Sequence, residues 1–448
     1  MSIRLLLPAA ALLAALAAPA AACASAMTPG EVVVRYDHSS THDERVAALE
    51  ATGTGSSATL PGGHRVVRIE DGQTVARTVA ELRDQPGVKY AVPNYKLTGS
   101  ALPAPFYPND PGRGDLGDWR ELQWNFDGPF GVHAPQAWAL TREADVDGGR
   151  GVTVAVIDSG VAYTRRGRFR RAPDLYASRF VKGYDFVGHD RYPLDEDSHG
   201  THVTGTIAQK TNNKEAVTGL AYGVKVMPLR VLDERGDGDG ATFARSITWA
   251  ARHGAKVINM SVEFDTQLRA ADIPEVISAI KFAHDRGVVM VGASGNDTEG
   301  RVAYPARSSR VIAVGATTAG GCQAEYSNYG SGLDVVAPGG GSDAPLTGNS
   351  EWDDTHCDPS RRPREIYQQT FVRNPRDFQL IGFEGTSEAV PHVTALAALV
   401  IAMRSAGASP TPEAVQKRIE QTARDLGPAG YDKRYGNGLV DAAAAIAP

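Results

Sequence analysis

From Gly151 onward the chain keeps returning to one unit, a short and almost wholly apolar run followed by a stretch of helical spacing. The runs read GVTVAVID, VKVMPLRVL, AKVINMSV, GVVMVGAS, VIAVGATT and LDVVAP. A strand that is apolar on both faces must be covered on both faces, which is the condition of a parallel sheet flanked by helices. The pattern predicts an α/β domain, a doubly wound and mostly parallel sheet with helices on both sides. Helices are expected from near His199, across Thr242–Arg252, across Ile273–Asp285 and from Ser387 onward. In such sheets functional groups collect just beyond the C-terminal ends of the strands.

Before Gly151 the pattern differs. Glu31–Tyr36 alternates like a strand, Thr41–Ala51 has helical spacing and His64–Glu70 returns as a strand. A helix over Thr74–Leu82 and a strand over Val88–Pro93 follow, and a weak strand near Ser56–Leu60 completes β-α-β-β-α-β, the ferredoxin-like α+β arrangement. The stretch ALPAPFYPNDPGRGDLGD then has the Pro/Gly/Asp-rich composition of a linker or processed junction.

The first residues, MSIRLLLPAAALLAALAAPAAACASAM, place Arg4 before an apolar run and then small residues, which is the pattern of a secretory signal peptide. Cys23 offers a second reading, a lipid-modified N-terminus and a membrane anchor; cleavage after Ala26 would discard it. Charged residues make up 22% and the net charge is -6, the balance of a soluble, mildly acidic protein with no nucleic-acid footprint. Cys322 and Cys357 are a single pair, and an oxidising compartment favours a disulfide between them over two free thiols. That bridge would close a loop of about 35 residues and stabilise by roughly 3–4 kcal/mol on the chain-entropy model.

Three residues at strand ends and helix starts carry chemistry together. Asp158 ends VAVID and is followed by Ser159-Gly160; His199 opens HGTHVTG; Ser387 opens the last long helix in GTSEAVPH. Singly they read as a turn residue, a helix-start residue and an N-cap. Jointly they supply what serine nucleophilic catalysis needs: a hydroxyl, an imidazole to take its proton, and a carboxylate to fix the imidazole's tautomer.

The motifs D-S-G after a strand, H-G-T-H and G-T-S-x-A-x-P-H, in the order Asp, His, Ser, resemble those of the subtilisin-like serine peptidases over roughly Trp119 to Asp441. The resemblance implies that Ser387 is the nucleophile, His199 the general base and then acid, and Asp158 the orienting carboxylate. It also implies that Asn296 in GASGND is the oxyanion donor, together with the Ser387 backbone N–H. His202 and His392 are expected to be packed, hydrogen-bonded histidines. The small N-terminal domain resembles the family's inhibitor propeptide. The implied organisation is a signal peptide over residues 1–26, a propeptide over 27–100, a junction over 101–118 cut around Leu97–Pro105, and a catalytic domain over 119–448.

By the same resemblance the cleft is bordered by Gly238 and Gly240 in DGDG, by Ser261, Val262, Glu263 and Phe264, and by Ala293, Ser294 and Gly295. The chemistry requires no cofactor. The family's structural calcium would be held by Asp174 and Asn213 through side chains and by Thr211, Glu215 and Val217 through the chain, the alternative being an ordinary polar loop. RRGRFRR, Arg165–Arg171, reads as a solvated loop or a processing target.

Three features depart from the family. Where it usually presents two glycines beside the specificity pocket, this chain has Glu263 and Phe264. Glu263 either pairs with Lys or Arg on the acyl side of the substrate, or swings to solvent and leaves an apolar preference. Glu388 replaces the methionine next to the nucleophile; near His199 it should raise the histidine's pKa. The long segment Gly339–Glu384 is either a wall on the leaving-group side or a surface ornament pinned by a disulfide. The expected function is a secreted, self-processing serine endopeptidase acting through an acyl-enzyme on protein or peptide substrates, with its own propeptide as inhibitor. A catalytically silent binding module that kept the fold is the alternative of another class.

Overall fold

A computed structural model describes residues 27–70, 72–95, 103–115, 117–345 and 357–448. The signal segment with Cys23, most of the expected cleavage region and residues 346–356 of the long insertion lie outside the described residues. The chain divides into two compact units, Met1–Ala101 and Leu102–Pro448.

The first unit is a four-stranded antiparallel sheet in the order β2-β3-β1-β4, with β1 over Met27–Tyr36, β2 over Thr54–Leu60, β3 over His64–Ile69 and β4 over Val88–Tyr95. Helices His42–Ala51 and Val75–Arg83 form the two crossovers. Thr41 starts the first with a capping box: its hydroxyl accepts from the Glu44 N–H (3.3 Å) while Glu44 accepts from the Thr41 N–H (2.8 Å). Alternation along β1 puts Val32 and Val34 inward against Val67, Val79, Leu82 and Ala91. This is the ferredoxin-like arrangement, and both helices lie where the spacing predicts them.

The second unit is built on seven parallel strands in the order β11-β10-β9-β8-β5-β7-β6. They are β5 Thr153–Asp158, β6 Tyr184–Asp185, β7 Lys225–Arg230, β8 Val257–Met260, β9 Val289–Ala293, β10 Ile312–Thr317 and β11 Val335–Pro338. β5 pairs with β7 on one side and β8 on the other, so the winding reverses around β5 and opens a crevice at its C-terminal end. Helices over His199–Ala208, Gly240–Arg252, Pro274–His284 and Thr386–Met403 match the predicted ones to within about two residues. The two-residue β6 was not predicted, because so short a strand carries no periodicity.

The helix Thr386–Met403 is buried on nearly all sides, against β8, β9, β10 and β11. Val390, Val393, Leu396 and Leu399 are each at most 1% exposed. Each such side chain contributes about 1.5–3 kcal/mol by leaving water. That burial explains why this helix is apolar all round rather than on one stripe. It makes Glu388, at 2% exposure, an anomaly that the site must explain.

The long insertion is not an ornament. Its residues Ile366–Thr370 and Gln379–Phe383 form an antiparallel hairpin, β12 and β13, packed on the helix that His199 opens. The Cys322 and Cys357 sulfur atoms are joined, with Cα atoms 4.9 Å apart.

Candidate active site

Asp158 stands at the crevice because β5 ends there. Its Oδ1 accepts from His199 Nδ1 (2.8 Å) and from the Ser159 N–H (2.7 Å), and the carboxylate is fully buried. Gly200, next to the histidine, is required by space: a Cβ there would meet the Gly160 carbonyl and, at 3.0 Å, Asp158 Oδ1. The backbone just before His199 is itself unusual, with Ser198 at φ 113°. Thr370 of the hairpin steadies it by donating to the Ser198 carbonyl (2.8 Å).

Asp195 is a site residue that the sequence reading missed. Fully enclosed, its Oδ1 accepts from Ser159 Oγ (2.9 Å) and the Ser198 N–H (2.9 Å), and its Oδ2 from Thr201 Oγ1 (2.5 Å) and the Thr201 N–H (2.9 Å). One buried carboxylate thus ties the loop after Asp158 to the first turn of the histidine helix. Burial raises its pKa to about 6, against the pull of these hydrogen bonds. The run of acids before His199 hinted at it, but nothing in the sequence said which acid turns inward.

Ser387 is not the helix cap. Gly385 takes that position and Ser387 is the second helical residue. Its Oγ donates to the Ser261 carbonyl (3.3 Å). Pro391 has no N–H with which to bond the carbonyl four residues earlier, so the Ser387 carbonyl is free to accept from Ser261 Oγ (2.8 Å). The proline therefore explains how a serine from the end of β8 is tied to the backbone of Ser387.

Asn296 follows β9, with its amide clamped by Thr386: the threonine N–H (2.8 Å) and Oγ1 (3.0 Å) both donate to Oδ1. Nδ2 is thereby turned toward the cleft, where it donates to Glu263 Oε1 (3.3 Å). Ala293 and Ser294 are buried at the strand end, Ser294 Oγ donating to the Asn328 carbonyl (3.0 Å).

The cleft, about 410 Å³, runs from His199 and Ser387 between Gly236–Asp239 on one side and Ser261–Phe264 on the other. Phe264 stands edge-on to Phe243, 5.9 Å between ring centres, and both line it. Gly238 lines the cleft, whereas Gly240 begins the next helix beside Glu275.

Glu388 turns inward. Its Oε1 lies 3.6 Å from His199 Nε2 and 3.9 Å from His202 Nδ1. Burial raises its pKa, partly offset by the attraction of His199. For His199 burial opposes the charge, but Asp158, its hydrogen bond and Glu388 prevail and hold the pKa at about 10. His202 is packed as expected: Nε2 donates to the Ile366 carbonyl (2.9 Å) and the ring stacks on Phe383. Burial and the charge of His199 lower its pKa to about 3. His392 bridges the Glu388 carbonyl and Asn125.

At the expected calcium position, Asp174 is fully buried and makes no ion pair among the described residues. Its oxygens accept from Asn213 Nδ2 (2.6 Å) and Gln209 Nε2 (2.9 Å). Asp110 and Glu215 stand near enough for their charges to add to the burial that raises its pKa to about 8. Among the described residues no group of three or more His, Cys, Asp or Glu is placed to hold a metal ion. In the loop Arg165–Arg171, Arg168 pairs with Glu196 (3.1 Å) and Arg166 stacks on Tyr192.

Residues 149–438 match the Subtilase family, and residues 15–94 match the fervidolysin N-terminal prodomain. The thermophilic serine proteinase of Bacillus sp. (strain AK1) is 32% identical over 414 residues, 92% of this chain and 86% of that one. Thermitase of Thermoactinomyces vulgaris is 31% identical, over 71% of this chain and 95% of its own. A solved protease of Pseudoalteromonas arctica PAMC 21717 superposes with a TM-score of 0.59 at 31% identity, covering 76% of this chain and 98% of that structure. The chain belongs to the subtilase family and is a subtilisin-like serine endopeptidase with an N-terminal prodomain.

Proposed function

We propose that the chain is exported by its N-terminal segment and made as a zymogen, in which residues 27–100 inhibit the enzyme until it cuts itself within residues 97–105. The short bond from His199 Nδ1 to Asp158 Oδ1 at the sheet's switch point carries the catalytic reading. It leaves Nε2 as the working nitrogen. In the reaction Ser387 Oγ turns from the Ser261 carbonyl to Nε2 and gives up its proton as it attacks the scissile carbonyl. The oxyanion is received by Asn296 Nδ2 and the Ser387 N–H. His199 then protonates the leaving amine, and water releases the acyl group by the same steps.

Structural calcium fits the second site. The Asn213 amide, turned over at the loss of its bond from the Glu215 N–H, would present oxygen beside the buried Asp174 carboxylate, with the chain at Thr211, Glu215 and Val217 completing an all-oxygen shell. No catalytic step involves it. The joined Cys322 and Cys357 suit an oxidising compartment.

Intact mass of wild type and Ser387→Ala, each incubated and then exposed to a fluorophosphonate, tests the proposal. Wild type alone should lose a propeptide-sized fragment and gain the label. Folded wild type that does neither returns the chain to the reading of a silent binding module.

A further inference from the structure

Glu263 occupies a position where a side chain cannot be neutral toward catalysis. It follows the end of β8 on one wall of the cleft, an exposed residue whose carboxylate pairs with no cation among the described residues. Instead it reaches the loop that follows β9. Oε1 takes the hydrogen bond of Asn296 Nδ2, and Oε2 lies 2.7 Å from where a Cβ on Gly295 would be. The Asn296 amide cannot turn away, because Thr386 holds its oxygen from two sides. At rest one N–H of the oxyanion donor is therefore already engaged, and by an anion.

Two consequences follow for a bound substrate. If Glu263 stays in place, the developing oxyanion has to compete with a carboxylate for Asn296, and the two negative charges repel. If Glu263 is drawn off, the donor is released. A cation is the group best able to draw it off, since it adds the attraction of a full opposite charge to the hydrogen bond, where the amide offers only a dipole. No lysine or arginine in the cleft lining competes for the carboxylate, which stands with Asp197, Asp237 and Asp239.

Resting on the assignment of Ser387, His199 and Asn296 as the catalytic groups, we propose that Glu263 is a specificity residue that occupies the oxyanion donor until a lysine or arginine side chain on the acyl side of the substrate withdraws it. Basic substrates are then favoured in turnover as well as in binding, because the same movement pairs the cation and frees Asn296. Apolar substrates meet a donor that is still engaged.

The test is steady-state kinetics on matched peptides carrying Arg, Lys, Leu or Phe at the residue donating the scissile carbonyl. Wild type, Glu263→Gln and Glu263→Gly are compared, each counted by fluorophosphonate titration and checked for fold by circular dichroism. Wild type should prefer Arg and Lys. Both variants should lose about ten- to a hundredfold on basic peptides, with kcat sharing in the loss, while kcat on Leu and Phe peptides rises. An unchanged ratio between basic and apolar peptides, or an equal loss on all four, in enzyme that still titrates fully overturns the proposal. Failure of folded wild type to react with the fluorophosphonate is a different result, since it removes the underlying catalytic assignment.

Discussion

Glu388 Oε1 lies 3.6 Å from His199 Nε2, on the side of the ring opposite the Asp158 carboxylate. The imidazole is thus held between two acids, one at Nδ1 and one at Nε2, the nitrogen proposed to accept the serine proton. Both favour imidazolium.

This arrangement sets the pH profile. The base works when neutral, so a pKa raised toward 10 places the acidic limb of kcat/KM in alkaline solution. Removing one of the two charges lets the proton leave at lower pH. Glu388→Met should move that limb down by roughly one to two pH units. A limb that stays in place in both proteins would show that Glu388 holds no charge beside His199.

Asp195 should behave as a positioning residue. Asp195→Ala leaves two hydroxyls and three N–H groups without their acceptor, a buried deletion worth about 3 kcal/mol or more. Denaturant midpoints should fall accordingly. In conditions where the variant remains folded, kcat should drop more than KM rises, because the histidine helix and the Asp158 loop lose their common anchor.

Asn296→Ala should lower kcat by about 10²–10³ with little change in KM, the loss established for the equivalent donor in a subtilisin. Fluorophosphonate labelling, which tests the nucleophile and base, should persist at a reduced rate.

Chelation tests the ion. Excess EDTA should lower the thermal midpoint of the wild type and leave that of Asp174→Ala unchanged, with calcium restoring the wild-type value. Equal midpoints in wild type with and without chelator would mean that the Asn213 and Gln209 amides alone satisfy Asp174.

Reduction tests the covalent link between Cys322 and Cys357. Intact mass should show no free thiol at either residue. The double replacement by serine should cost roughly 3–4 kcal/mol if the closed loop acts through chain entropy.

The sequence by itself determined the architecture and the candidate reacting groups. Apolar runs such as VTVAVI and KVINM can be buried only in a sheet covered on both faces, and Asp158, His199 and Ser387 each sit where such a sheet presents side chains. Period and strand-end position are local properties, so they can be read along the chain. What only the tertiary structure decided is where long, flexible side chains go. Glu263 and Glu388 are each one charged letter in a loop or a helix start, and either could have faced solvent. Packing sent Glu388 inward, into the space that glycine leaves at position 385, and set Glu263 against Asn296 in the loop after β9. Asp195 and the hairpin Ile366–Phe383 were illegible for the same reason: their partners lie far along the chain, and no local pattern records a contact between Thr370 and Ser198.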